Sequence, residues 1–135
     1  MTTPPLPGDV ESALARFAPP VRARLLDIRA AIFAVAARNE TIGPLTETLK
    51  WGEPAYLTEA TGSGTTVRLG VSKQAPGQAA VFVNCRTSLI SEFRVQFAEE
   101  FTYEGTRALI LPADGPLPEE PLAICLHAAL TYHRR

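Results

Sequence analysis

The sequence predicts an α+β fold, an antiparallel β-sheet meander with flanking helices packed on one face, and three observations predict it. Apolar residues keep helical spacing over a long segment beginning at Pro20, strict alternation replaces that spacing in the middle of the chain, and helix signals return twice afterwards. Residues 1–8 are rich in Thr, Pro and Gly and read as a flexible lead-in to a single domain over residues 9–135.

Asp9 is placed to cap a short helix ending near Phe17, because Pro19 and Pro20 forbid its continuation. The second helix starts at Pro20, in the one turn where proline is tolerated. Val21, Leu25, Ile28, Ile32 and Val35 form its inner face, Leu26 and Phe33 widen it, and Arg22, Arg29 and Arg38 are expected to point to water. Glu47–Trp51 and Ala55–Thr58 read as strand pieces interrupted by Gly52 and Pro54, and Thr61–Gly64 links them to the next strand. Val67, Leu69 and Val71 alternate with Arg68, Gly70 and Ser72, which marks a half-buried strand. The run Ala79–Asn84 sets Val81 and Val83 against Phe82, and the Pro76-Gly77 turn pairs the two strands. Thr87 or Ser88 caps a helix with Leu89, Ile90, Phe93 and Phe97 inward. A second hairpin joins Phe101–Tyr103 to Arg107–Leu111, and a last helix opens near Pro118 with Leu122, Leu126, Ala129 and Leu130 buried.

Charge and motifs exclude several functions. With 13 basic against 14 acidic residues there is no global basic field for nucleic acid, and two cysteines cannot build a disulfide scaffold. The longest apolar run, Ala30–Ala37, is far short of the roughly 20 residues a membrane span needs, and no export signal opens the chain. A cytoplasmic location is therefore expected. The Thr61-Gly62-Ser63-Gly64 segment leads into a strand, so it offers no helix N-terminus to a phosphate. His127 and His133 are six residues apart on one helix and face different directions, which removes a shared metal site, and no serine elbow motif occurs.

Three features remain as candidates. Trp51, the only tryptophan, stands beside Lys50 and Glu53 and near Tyr56, where an aromatic body with a polar handle suits a rim; core packing against the second helix is the alternative. Cys85 follows a strand and precedes a helix, beside Arg86, the setting that lowers a thiol pKa; a buried inert cysteine is the alternative, and Cys125 reads as core. Glu92, Glu99, Glu100 and Glu104 could offer oxygen to a hard cation, or form a solvated face.

The segments KWGEPAY at Lys50–Tyr56, VFVNCRTSLISEFR, YEGTRALILP and PLPEEPLAICLHAALTYH together resemble the YdhG-like proteins, domain of unknown function 1801, over most of the chain from about Pro20 to His133. The resemblance implies a small bacterial α+β domain with an antiparallel sheet and flanking helices, and supplies no established reaction. One branch is described as frataxin-like and linked to iron delivery, which would need an exposed acidic surface; here the first two helices carry Arg16, Arg22, Arg24, Arg29 and Arg38 against Asp9, Glu11 and Asp27.

The expectation is a cytoplasmic, non-enzymatic binding module whose groove near Lys50, Trp51, Glu53 and Tyr56, reached by Arg68 or Arg86, takes a small anionic molecule or a protein segment. No catalytic residue, metal ligand or cofactor is assigned; nucleic acid and membrane are not expected partners, and the protein is a monomer or homodimer. Iron binding through Glu99 and Glu100 and thiol chemistry at Cys85 are the alternatives.

Overall fold

The computed structural model describes residues 3–135. Pro19 and Pro20 start helix α2 (Pro19–Ala37) as expected, and Val21, Leu25, Ile28 and Ile32 bury its inner stripe. Ahead of it, α1 spans Gly8–Leu14. Asp9 does not cap α1: Pro7 holds that position, and the Asp9 carboxylate accepts from the neighbouring Val10 amide. The other end of α1 is closed by Arg22, whose guanidinium donates to the carbonyls of Leu14, Ala15 and Phe17.

Six strands follow: β1 (Thr46–Lys50), β2 (Glu53–Leu57), β3 (Val67–Gly70), β4 (Gln78–Phe82), β5 (Thr102–Glu104) and β6 (Ala108–Pro112). Helix α3 (Leu89–Gln96) stands between β4 and β5, and α4 (Glu119–Leu130) follows β6 before a short 3-10 turn at Tyr132–Arg134. All pairings are antiparallel, in the order β1-β2-β3-β4-β6-β5, so the first four strands form the expected meander and the second hairpin adds its later strand to β4. The β2–β3 pairing runs only through Ala55 and Tyr56, beside Pro54, which has no N–H to give a ladder.

The helices cover one face. Val67, Leu69, Val81, Leu109 and Leu111 meet Leu25, Ile28, Ile32, Phe93, Leu122 and Leu126 in the main core, while Ala80, Phe82, Ala108 and Ile110 form a small cluster on the opposite face. Residues 1 and 2 of the expected lead-in lie outside the described residues; Leu6 packs against the main core, and the Pro5 carbonyl accepts from Arg29. Among the described residues no helix is long and apolar enough to cross a membrane.

One arginine departs from the helical-wheel reading, and a second on the same helix is buried as deeply. Arg29, expected in water, is 4% exposed, and so is Arg24. Arg29 makes a two-pronged ion pair with Glu47 (2.6 and 2.9 Å) beneath Phe33, and the Tyr56 hydroxyl donates to the same carboxylate at 2.7 Å. An α2 residue on the flank of the apolar stripe thus finds its partner on β1, which the helix period alone does not show.

The Thr61–Gly64 segment closes the C-terminal end of α4. Ser63 Oγ donates to the Leu130 carbonyl at 2.8 Å, the Thr65 amide to Ala129 at 2.9 Å, and the Ser63 carbonyl accepts from the His133 amide at 2.8 Å. Gly64 lies so close to the Leu130 backbone that a Cβ there would overlap it. The glycines bring the loop to a helix C-terminus, where carbonyls need donors, the reverse of a phosphate cradle.

Buried acids give the fold an alkaline limit. Burial, aided by the Glu100 charge, pushes the Cys125 thiol from 9.0 up to about 12, and burial raises Tyr103 from 10.0 to about 12. Tyr56 is raised further, by burial first and by Glu47 second. Each raised group adds stability that is complete below its unfolded value and is lost as pH climbs towards the folded one, since the unfolded chain releases its proton first. Stability should therefore fall from about pH 9 upwards, by about 1.4 kcal/mol per pH unit for each group in transition. Denaturant melts from pH 7 to 11 check this, and Cys125→Ala should delay the onset to about pH 10, where the unfolded tyrosines begin to lose their protons.

Candidate functional site

The region around Trp51 is a tight hairpin, not an interrupted strand. Lys50 pairs with Glu53, leaving Trp51 and Gly52 as a two-residue turn with φ of 56° and 77°. Two positive φ angles match the twist of the flanking strands, the type I′ geometry usually given to Asn-Gly. A tryptophan in the first position costs about 1–2 kcal/mol against glycine, because its Cβ crowds the carbonyl. Arg16 Nη2 donates to the Gly52 carbonyl at 2.7 Å and ties the turn to the end of α1. Trp51 is 89% exposed, so neither packing on α2 nor a bulge describes it.

From this turn the open face of the sheet, away from the helices, forms a shallow hollow of about 560 Å³. Strand register explains its lining. Arg68 on β3 stands opposite Phe82 on β4, which stands opposite Ala108 on β6, which faces Glu104 on β5. The row thus reads cation, aromatic, methyl, carboxylate across four strands. Arg68 reaches back to Glu53 at 2.6 Å, and Arg107, in the β5–β6 turn, pairs with Glu104 at 3.3 Å. Both guanidinium groups lie near the Phe82 ring, at 4.9 and 5.2 Å from its centre. The β3–β4 connection brings Ser72 across to donate to Glu104, with Lys73 and Gln74 completing the rim.

Gly70 is what makes room. A Cβ there would collide with the Glu53 carboxylate, so the strand leaves a notch in which that side chain lies while it holds Arg68. Among the described residues Lys73 has no ion-pair partner, and Arg107 is 53% exposed. The hollow therefore presents two anchored arginines, one of them accessible, a free ammonium and an indole at its edge.

Of the residues expected to share a groove, Trp51, Glu53 and Arg68 do line this hollow. Lys50 precedes the turn and is exposed outside the lining, and Arg86 is exposed in the segment after β4. Tyr56 is fully buried on the helix-covered face, bonded to Glu47, because it lies an odd number of residues from Glu53 along β2. Phe82, Glu104, Arg107, Ser72 and Lys73 are members that the sequence reading misses; the alternation of Phe82 with Val81 and Val83 places it on this face, but nothing local shows that β6 lies against β4.

The other candidates separate. Cys85 is exposed and Cys125 is buried. Glu92 is held by Arg135 and Ser88, which lower its pKa, while Glu104 is engaged by Arg107 and Ser72. Among the described residues no group of three or more His, Cys, Asp or Glu side chains is placed to hold a metal ion.

The crystal structure of YdhG, a protein of the DUF1801 family from Bacillus subtilis, superposes on this chain with a TM-score of 0.54 at 22% identity, covering 92% of this chain and 86% of the other. The resemblance read from the sequence is borne out in the fold. No family model matches the chain, and no match was found among curated proteins.

Proposed function

We propose that the protein is a binding module whose ligand surface is the open sheet face beside Trp51. Its ligand is a small anion carrying a flat apolar group. The observation that carries this reading is Trp51 itself, a large aromatic kept almost fully exposed in a backbone conformation that glycine or asparagine would adopt more cheaply. A fold selected for stability alone would not retain it there.

The charge balance supports the sign of the ligand. Arg68, Lys73 and Arg107 face Glu53 and Glu104, and the two carboxylates are already taken by the arginines. An incoming carboxylate or phosphate meets Lys73 and the exposed edge of Arg107, while its flat part lies against the indole. The one hydroxyl beside a carboxylate, Ser72 on Glu104, is buried, and the carboxylate is already held by Arg107, which favours capture over catalysis.

Titration with a panel of aryl carboxylates and aryl phosphates, read by Trp51 emission, tests the reading. At least one should shift the emission saturably, and Arg107→Gln with Lys73→Gln should weaken that ligand by about tenfold or more. Trp51→Gly should abolish its binding heat in calorimetry while raising stability by about 1 kcal/mol through relief of the turn. A panel that leaves both emission and heat unchanged at millimolar concentration would sink the proposal.

A further inference from the structure

The outer surface of the α2–α4 pair carries an apolar strip with charges of opposite sign at its two ends. The helices run parallel, as two contacts show. Asn39 Nδ2 meets His127 Nε2 at 2.9 Å near their C-terminal ends, while Asp27 and Ala31, further back in the middle of α2, share a hollow with Leu117 and Glu119 at the start of α4. Between these two contacts lie Ala34 and Val35 on α2 and Ala123 and Ile124 on α4, none of them fully buried. From Ala30 to Ala37 no side chain carries a polar group, and Ala30, Ala31, Ala34 and Val35 stay only partly covered. Outward faces of surface helices ordinarily carry charge.

We infer that this strip is the contact surface for a second copy of the chain, related by a two-fold axis crossing α2 near Ala34. The argument is charge complementarity. Asp27 and Glu119 share the hollow at one end, Arg38 stands at the other, and none of the three makes an ion pair within the described residues. A two-fold axis across a parallel helix pair reverses the second copy, so the acidic end of each faces the Arg38 end of its mate. The alanines let the helix axes approach closely, and Ile124 supplies the larger side chain at the centre. A partner of a different kind would need its own matching charges; a second copy brings them by symmetry.

Sedimentation equilibrium over about 10 μM to 1 mM tests the inference, with circular dichroism checking the fold of each variant. The unaltered chain should show a concentration-dependent doubling of mass, and Ala34→Arg should remain monomeric throughout. Asp27→Arg and Arg38→Glu should each weaken association by about tenfold, and the double variant should recover most of that loss, because the crossed pairs are restored with signs exchanged. A monomer at every concentration overturns the inference. So does a dimer indifferent to Ala34→Arg, or a double variant no better than its parents.

Discussion

Replacing Arg29 by Met should destabilise the protein by about 3–5 kcal/mol, because the Glu47 carboxylate would be left buried with no cation. The side chains of the pair are only 4% and 8% exposed, so water cannot substitute for the missing guanidinium. Glu47→Leu should cost a similar amount from the other side, since Arg29 would keep only the Pro5 carbonyl and the Phe33 ring. The informative variant is the combination Arg29→Met, Glu47→Leu, Tyr56→Phe. It removes charge and hydroxyl together, and most of the single-variant loss should return, as buried ion pairs seldom outperform an apolar filling. Chemical denaturation of the unaltered protein and these variants decides it. If the triple variant is no better than Arg29→Met, the loss arises from packing around α2 and not from an orphaned charge.

Gly64→Ala should carry the second large effect, about 3 kcal/mol or outright failure to fold. The added methyl would overlap backbone atoms of Leu130, and neither neighbour can rotate away as a side chain would. Gly77 is the control. Nothing lies within 4 Å of the place its methyl would take, and its φ is ordinary, so Gly77→Ala should change stability by less than about 0.5 kcal/mol. Gly70→Ala tests a different property. Its obstacle is the end of the Glu53 side chain, which can swing aside, so this substitution should spare most of the stability while freeing Arg68 on the open face.

The architecture is legible in the sequence because its signals are periodic. The stripe on α2, the alternation in β3 and β4 and the apolar positions of α3 and α4 each follow from local spacing, and all the residues assigned inward on α3 and α4 are buried or nearly so. What stays hidden is information carried by pairing. Trp-Gly is an unusual pair for a two-residue hairpin turn, so Lys50–Glu53 reads as a bend, and Tyr56 groups with Glu53 by proximity although one parity step separates the two faces of β2. Arg29 reads as surface because its partner is on β1, 18 residues away. The site is half legible for the same reason. Trp51, Glu53 and Arg68 come from consecutive strands of the meander, whereas Glu104 and Arg107 join them only because β6 lies against β4.

The crowding of arginine into the first two helices also takes a different meaning. Arg16 and Arg22 are committed to backbone carbonyls, Arg29 to Glu47, and Arg24 is buried with one guanidinium nitrogen on the Gly115 carbonyl. These cations hold the helices to their surroundings and are not a basic surface for a polyanion.

The closure of α4 by the Thr61–Thr65 loop bears on the order of events as the chain folds. Ser63 and Leu130 are 67 residues apart in sequence, so their contact needs both the strand meander and the docked last helix. Closing so long a separation costs chain entropy that is repaid only once both partners are in place. Such bonds retard escape from the native state and hardly speed arrival at it. The loop then acts as a catch that closes last, and its strength would be felt in the lifetime of the folded protein.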